Sequence, residues 1–333
     1  MKIPGKNRQT ILLTIDVEDW FQVENFKPWI PFSAWDSFEL RVEKNTHLLL
    51  DLFDSIELNS QGKTITPKVT FFILGWIAKR LPNMVNEINN RGHEIASHGF
   101  NHNLCNYESY DELKTDLIKS KKLLEDITGV TVSGYRAPNF SINSDILNQI
   151  KECGYLYDSS YNSFNMNPRY GRVNLNGQNR IGVVIKLSDK FYELPLSNLK
   201  LWNKILPFSG GGYFRLFPSV VFNKGVRSIL NKDGVYLFYI HPWEFDPNQP
   251  RVNNASSFLK LRHYINLKKT EPKLKSLIRH FKQSEFITCS QYLKEAIKQG
   301  RMRDDEQKEF YNAHKQTSSD IERSNTFIAQ QEQ

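Results

Sequence analysis

Ile11-Leu12-Leu13-Thr14-Ile15-Asp16-Val17-Glu18-Asp19 is a run of aliphatic residues and one threonine that ends abruptly in three acids within four positions. A short, nearly continuous apolar run closed off by charge reads as a buried strand, here 11–16, whose end is free to carry chemistry. Comparable runs recur at 68–74, 93–97, 132–136, 156–158, 191–195, 235–241 and 286–289. Between several of them lie helix-length stretches. Leu113, Leu117 and Leu124 give 111–127 one apolar face, closed by Gly129, and Ile77, Leu81, Val85 and Ile88 do the same for 75–91. Strand and helix alternating over 333 residues argue for a parallel sheet and a barrel-like α/β fold. The stretch 162–180, rich in Asn, Gly and Arg, is expected to be a loop or insertion.

Composition narrows the class. An apolar share of 39% with 13% aromatics is enough for a substantial core. The net charge of +8 favours anionic partners such as phosphate-linked carriers, acidic sugars or lipid headgroups, but it is spread thinly and forms no nucleic-acid-binding arm. Cys105, Cys153 and Cys289 are odd in number and far apart, which excludes a disulfide framework and suits a reducing compartment. No apolar run approaches the roughly 20 residues needed to span a bilayer. The first residues lack a signal-peptide pattern, so a cytoplasmic protein is expected. After Gly300 the composition turns polar, and 300–333 is expected to be a disordered tail to a single domain covering 1–299.

The chemistry-bearing residues fall at strand ends. Asp16 closes the first strand, His98 follows the third, Arg136 closes the fourth, Asp158 the fifth and His241 a late one. In a parallel barrel those ends share one face, where such folds build their sites. His98 and His102 lie four apart, a spacing that lets two imidazoles reach one metal ion, although most pairs so spaced are surface or capped histidines. An upstream carboxylate would complete a set of two histidines and one acid with a position open for water. Glu18 or Asp19 could be that acid, leaving Asp16 as a general base with Arg136 as its positive partner. Plainer roles exist for each: Asp19 as a helix cap, Arg136 in a structural ion pair, Asp158 in a turn, His241 as a satisfied core residue. His241 is equally suited to be a general acid, with Asp158 as its partner.

Taken in order, these segments resemble the NodB-homology polysaccharide deacetylases of carbohydrate esterase family 4. Thr14-Ile15-Asp16 looks like that family's first motif, Ser97-His98-Gly99-Phe100-Asn101-His102 its metal motif, Arg136-Ala137-Pro138-Asn139-Phe140 its Arg-x-Pro motif, Asp158 the acid of its fourth, and Tyr239-Ile240-His241 its closing Leu-x-His motif with an aromatic in place of Leu. Asp16 to Phe21, Pro207 to Arg215, His241 to Glu244 and Arg262 to Asn266 further resemble deacetylases found beside exosortase (PEP-CTERM) exopolysaccharide loci. The likeness runs from about residue 10 to about 298, with a subfamily-specific part from about 200. In one respect the chain departs from the family: Val17 stands where a second Asp, the metal ligand, is usual.

The resemblance implies a distorted (β/α)7-8 barrel and a divalent metal, usually zinc, held by His98, His102 and Glu18 or Asp19. It implies hydrolysis of the acetamido groups of an exopolysaccharide or its lipid-linked precursor, with Asp16 as base, Arg136 orienting it, and His241 with Asp158 as the acid. A backbone N–H near Asn139 or Phe140 would stabilise the oxyanion, and Trp20, Phe21, Tyr213, Phe214 and Trp243 would wall the sugar site, ordinary core packing being the plainer role for each. Two other readings share these residues: a same-fold amidohydrolase acting on a different C–N bond, and a catalytically impaired carbohydrate-binding protein. The basic segment 262–282 could touch a membrane or a lipid carrier, or be a solvated helix face.

Overall fold

Every residue of strand β1, Thr10–Val17, is buried, and its side chains divide by parity. Ile11, Leu13, Ile15 and Val17 join Phe71, Ile73 and Ile95 in the larger apolar cluster, together with Leu49, Val85, Leu117 and Phe222 of the surrounding helices. Leu12 belongs instead to a smaller cluster with Phe72, Ala96, Tyr157, Tyr192 and Leu237 on the other face. Strand side chains alternate, so a strand covered on both faces must be apolar throughout, which is what its sequence shows.

The computed structural model describes residues 8–60, 63–164, 170–202 and 204–300. Nine further strands join β1: β2 (Thr70–Ile73), β3 (Glu94–Ser97), β4 (Gly134–Tyr135), β5 (Tyr157–Asp158), β6 (Asn179–Ile181), β7 (Val184–Ser188), β8 (Phe191–Glu193), β9 (Val235–Ile240) and β10 (Glu285–Phe286). Their order is β9-β1-β2-β3-β4-β5-β8-β7-β6, with β10 added to the start of β1. Pairing is parallel from β9 to β8 and antiparallel only in the β8-β7-β6 extension. The result is a distorted α/β barrel in which the carboxyl ends of seven parallel strands share one rim. All eight strands expected from sequence are present, each shifted by no more than a few residues.

The helices include α1 (Val42–Asp54), α2 (Gly75–Arg80), α3 (Pro82–Asn90), α4 (Tyr110–Thr128), α5 (Ser144–Glu152), α6 (Gly211–Leu216), α7 (Ser219–Asp233), α8 (Ser257–Tyr264) and α9 (Thr270–His280), and residues 289–300 are helical as well. α4 starts at a reciprocal Ser109–Glu112 cap and ends at left-handed Gly129. The single helix expected over 75–91 is two: Leu81 leaves the helical region at φ −127°, ψ 55°, because it precedes Pro82. The loop expected over 162–180 ends in β6, the outer strand of a hairpin that the Asn- and Gly-rich composition concealed. Its residues 165–169, like the tail beyond Gly300, lie outside the described residues. The three cysteines are free, and no helix among the described residues is long and apolar enough to cross a membrane.

One core histidine makes folding sensitive to pH. His93 sits between Phe53 and Phe71, and its Nδ1 accepts the N–H of Val69 at 3.3 Å. Burial, with Lys68 adding to it, lowers its pKa to about 4. The folded state therefore binds this proton less readily than the unfolded chain, so stability is full above about pH 6.5 and falls as the pH drops toward 4, by on the order of 3 kcal/mol. Denaturant unfolding at pH 7.5 and pH 5 should show the loss, and His93→Gln, whose carboxamide oxygen can accept the same N–H, should remove most of it. An identical pH slope in that variant would contradict the assignment.

Candidate active site

At the end of β1 the interior parity continues. Thr14 and Asp16 face Arg136, a fully buried guanidinium at the end of β4. Arg136 Nη1 donates to Asp16 Oδ1 at 2.6 Å and to Thr14 Oγ1 at 2.7 Å. Its Nε donates to the carbonyl of Ser159 and its Nη2 to the Ser159 hydroxyl, both at 2.9 Å, while the guanidinium lies 4.0 Å above the Phe72 ring. The Asp16 carboxylate is thereby ionically paired, oriented and aimed at the rim.

Glu18 stands one pleat further on. Its Oε1 lies 3.2 Å from His98 Nε2, 2.9 Å from His102 Nε2 and 3.8 Å from His241 Nε2. One ligand atom each from Glu18, His98 and His102 fall within 4.8 Å of one another, and all three residues are buried. His98 Nδ1 is 2.7 Å from the Arg136 carbonyl, so it carries the proton and leaves Nε2 with a free lone pair. Burial would raise the Glu18 carboxyl, but positive charge on His102 and His241 beside it holds it well below the usual carboxylate range. His102 Nε2 is buried without a well-oriented hydrogen-bond partner despite its short distance to Glu18. Two imidazole nitrogens and a carboxylate oxygen converging on one point, one of them otherwise orphaned, fit a divalent cation. His102 itself takes a left-handed φ of 56°, and the turn carrying both histidines is pinned by Asp116, which accepts the N–H groups of Phe100 and Asn101.

Asp19 does something else. Its Oδ1 accepts the N–H of Trp20 at 2.8 Å, and its Oδ2 accepts those of Arg41 and Val42 at 2.7 and 2.9 Å. It caps the turn after β1 and the start of α1, so of the two carboxylates considered as ligands only Glu18 meets the histidines. Trp20 is likewise displaced from its expected place in the sugar site: its ring packs edge-on against Phe21 and Phe38 in the core.

His241, at the end of β9, has a different partner from the one expected. Its Nδ1 is 2.9 Å from Glu244 Oε1, which also accepts the His241 backbone N–H, and Glu244 Oε2 accepts Arg215 Nε at 2.6 Å. Arg215 is buried and also donates to the carbonyls of His263 and Ile265. Burial would lower the His241 pKa, but Glu18, then Glu244 and Asp16, raise it to about 9. Gly211 leaves room for this pair, since a Cβ there would lie 2.1 Å from Glu244 Oε1. Asp158, the partner expected from sequence, bonds to Ser160, whose hydroxyl in turn accepts the N–H of Ala137. It lies beside Glu193 in the β5-β8 ladder. Two carboxyls so shielded from water cannot both ionise, so burial and Asp158 push Glu193 far up. Asp158 thus supports the loop carrying Arg136 and does not touch His241.

The cleft over these groups is lined by Asn139, Phe140, Tyr170, Tyr239, Trp243 and Arg262. Asn139 and Phe140 take left-handed φ values of 50° and 58°, a strain that turns this loop toward the cleft. The Phe140 N–H is already donated to Ala137 at 2.9 Å, which removes it as the expected oxyanion donor. Trp243 stacks between His241, at 5.2 Å, and His263, at 4.2 Å. Tyr213 does not line this cleft; it belongs to the groove beside it. Glu244, Arg215, Tyr170 and His263 were not assigned roles from sequence. Only Glu244 had a legible signal, its place three residues after His241, where one turn brings the two together.

Residues 63–157 match the family model for polysaccharide deacetylases, and residues 159–294 match a domain of unknown function, DUF3473. The boundary falls inside one sheet, between β5 and β8. A peptidoglycan-N-acetylglucosamine deacetylase of Bacillus cereus is 32% identical over 125 residues, 34% of this chain and 56% of that one. A second from the same organism is 34% identical over 132 residues, 37% of this chain and 47% of that one. A peptidoglycan deacetylase-like protein of Gibberella zeae is 35% identical over 96 residues, 29% of this chain and 28% of that one. The chain thus spans little more than half the length of these relatives at most. A Mycobacterium smegmatis crystal structure proposed to be a polysaccharide deacetylase shares the fold, with a TM-score of 0.57 and 20% identity over 89% of this chain and 93% of that one.

The capping role of Asp19 is directly measurable. Asp19→Ala should lower the unfolding free energy by about 1–2 kcal/mol, the usual cost of a lost cap. Denaturant titration checks this, and an unchanged midpoint would mean that the three backbone N–H groups find water instead.

Proposed function

The chain belongs to the polysaccharide deacetylases of the NodB (carbohydrate esterase 4) type, and on that premise we propose that it hydrolyses the acetamido group of N-acetylated sugars, releasing acetate and a free amino sugar. The observation that carries this reading is the convergence of Glu18, His98 and His102 beside the Asp16–Arg136 pair, at one end of a cleft that His241 enters from the other side. The relatives act, by name, on peptidoglycan amino sugars. We extend that to an exopolysaccharide or its lipid-linked precursor, handled inside the cell, where three unpaired cysteines remain reduced.

Glu18, His98 and His102 would hold the metal, for which we propose zinc. A divalent cation there would supply a Lewis acid for the amide carbonyl and lower the pKa of bound water toward neutrality. Asp16, paired with Arg136 and oriented by it, accepts the proton of the attacking water. His241 presents Nε2 to the cleft while Glu244 holds its Nδ1, so the Nε2 proton is placed for delivery to the departing nitrogen. Arg215 balances the charge of Glu244 and keeps it a carboxylate. Trp243 and Phe140 wall the cleft where a sugar ring would stack.

Acetate release from N-acetylated oligosaccharides tests the proposal. Asp16→Asn should lower kcat by about 10²- to 10⁴-fold with bound metal retained. Glu244→Gln should lower kcat by about tenfold or more with little change in KM, since it loosens His241 and touches no substrate. Full activity in Asp16→Asn would overturn the mechanism; a Glu244→Gln effect confined to KM would overturn the positioning role.

A further inference from the structure

Beside the cleft, sharing Gly212 and Arg262 with it, runs a second groove of 220 Å³ walled by Tyr213, Leu216, Phe258, Leu261 and Ile265. Its rim is apolar and exposed: Phe258 is 71% exposed, Leu261 63% and Leu216 52%. Single exposed apolar side chains are ordinary on a soluble protein, but three from two helices around one groove are not. Phe258 and Leu261, three residues apart on α8, turn one apolar face outward, and Ile265 adds to the groove wall just past the end of the helix. Its other side carries His263, buried and stacked on Trp243 of the catalytic cleft. The groove and the reaction centre are therefore two faces of one short helix.

The lining excludes a sugar. A carbohydrate subsite needs several hydrogen-bonding groups, and here only the Tyr213 hydroxyl and Arg262 are polar. Arg262 is exposed at the junction of groove and cleft and forms no ion pair among the described residues, in a chain of net charge +8. An elongated aliphatic group with an anion at one end matches this arrangement: chain in the groove, charge at Arg262, sugar in the cleft.

Building on the deacetylase reading, we propose that the groove binds the hydrocarbon chain of a lipid-linked sugar substrate whose phosphate lies beside Arg262. Each methylene buried there should tighten binding roughly fourfold. A lipid-diphosphate-linked substrate would be formed earlier in the reaction sequence by attack of a lipid phosphate on a nucleoside-diphosphate N-acetylated sugar, which transfers the sugar phosphate and releases a nucleoside monophosphate.

The test compares N-acetylglucosamine joined through diphosphate to a ten-carbon alkyl chain with the same sugar diphosphate bearing a methyl group. Binding to the zinc-loaded 333-residue chain is followed by calorimetry, and acetate release is measured in parallel. The proposal predicts at least tenfold tighter binding and lower KM for the decyl compound. Phe258→Asp/Leu261→Asp, both at exposed positions, should abolish that preference while kcat/KM on the methyl compound stays within twofold. Equal affinity for the two compounds, or equal loss on both in the variant, overturns it. So does binding to phosphatidylglycerol vesicles with no dependence on alkyl length in the soluble compounds, which would make the patch a membrane contact. If neither compound is deacetylated the functional reading fails, and the calorimetric comparison still decides the groove.

Discussion

A guanidinium with no exposure to water sits at the centre of this molecule, and much of the site's geometry depends on keeping it neutralised. Arg136 is bonded to Thr14 and Asp16 on β1 and to Ser159 after β5, groups 122, 120 and 23 residues away in sequence. Removing one member of such a buried pair typically costs about 3–5 kcal/mol, because the other charge is left without a partner or water. The same contact fixes the direction of Asp16, and the Arg136 carbonyl fixes the tautomer of His98. One residue thus links the proposed base, one proposed metal ligand and three strand ends. The loop that follows it is held in turn by Asp158 through Ser160. The same loop carries the left-handed φ values of Asn139 and Phe140.

Much of this was legible because buried parallel strands are unmistakable in sequence. Apolar runs ending in Asp16, Arg136 and His241 located both the sheet and its functional rim. What sequence could not convey was which polar group each side chain would choose. Asp19 and Glu18 are chemically alike, and only the position of α1 makes Asp19 a cap for Arg41 and Val42. Asp158 was a reasonable partner for His241, but Glu193, from a strand 35 residues later, draws it into a buried carboxyl pair. Trp20 and Tyr213 were plausible sugar platforms, yet an aromatic side chain looks the same in sequence whether it faces the core, a groove or a cleft. The split between α2 and α3 was written plainly in Pro82 and could have been read.

Val17 has a simple explanation in strand geometry. Residues 11, 13, 15 and 17 face the helical layer, where Val17 packs with Ile73 and Ile95, so an acid there would be buried among aliphatic side chains. The parity that points Leu12, Thr14 and Asp16 inward returns at Glu18. A longer side chain, one residue later, reaches the two histidines. The departure from the family pattern at position 17 therefore displaces the carboxylate along the chain without removing it from the site.

Metal binding by the Glu18–His98–His102 group is the claim on which the functional account rests. The most direct test is equilibrium dialysis of the chelator-stripped protein against zinc, comparing the wild type with Glu18→Gln and Asp19→Ala. The account predicts one tightly held zinc per chain in the wild type and in Asp19→Ala, with binding weakened at least a hundredfold in Glu18→Gln. Unchanged zinc affinity in Glu18→Gln, or loss confined to Asp19→Ala, would contradict it.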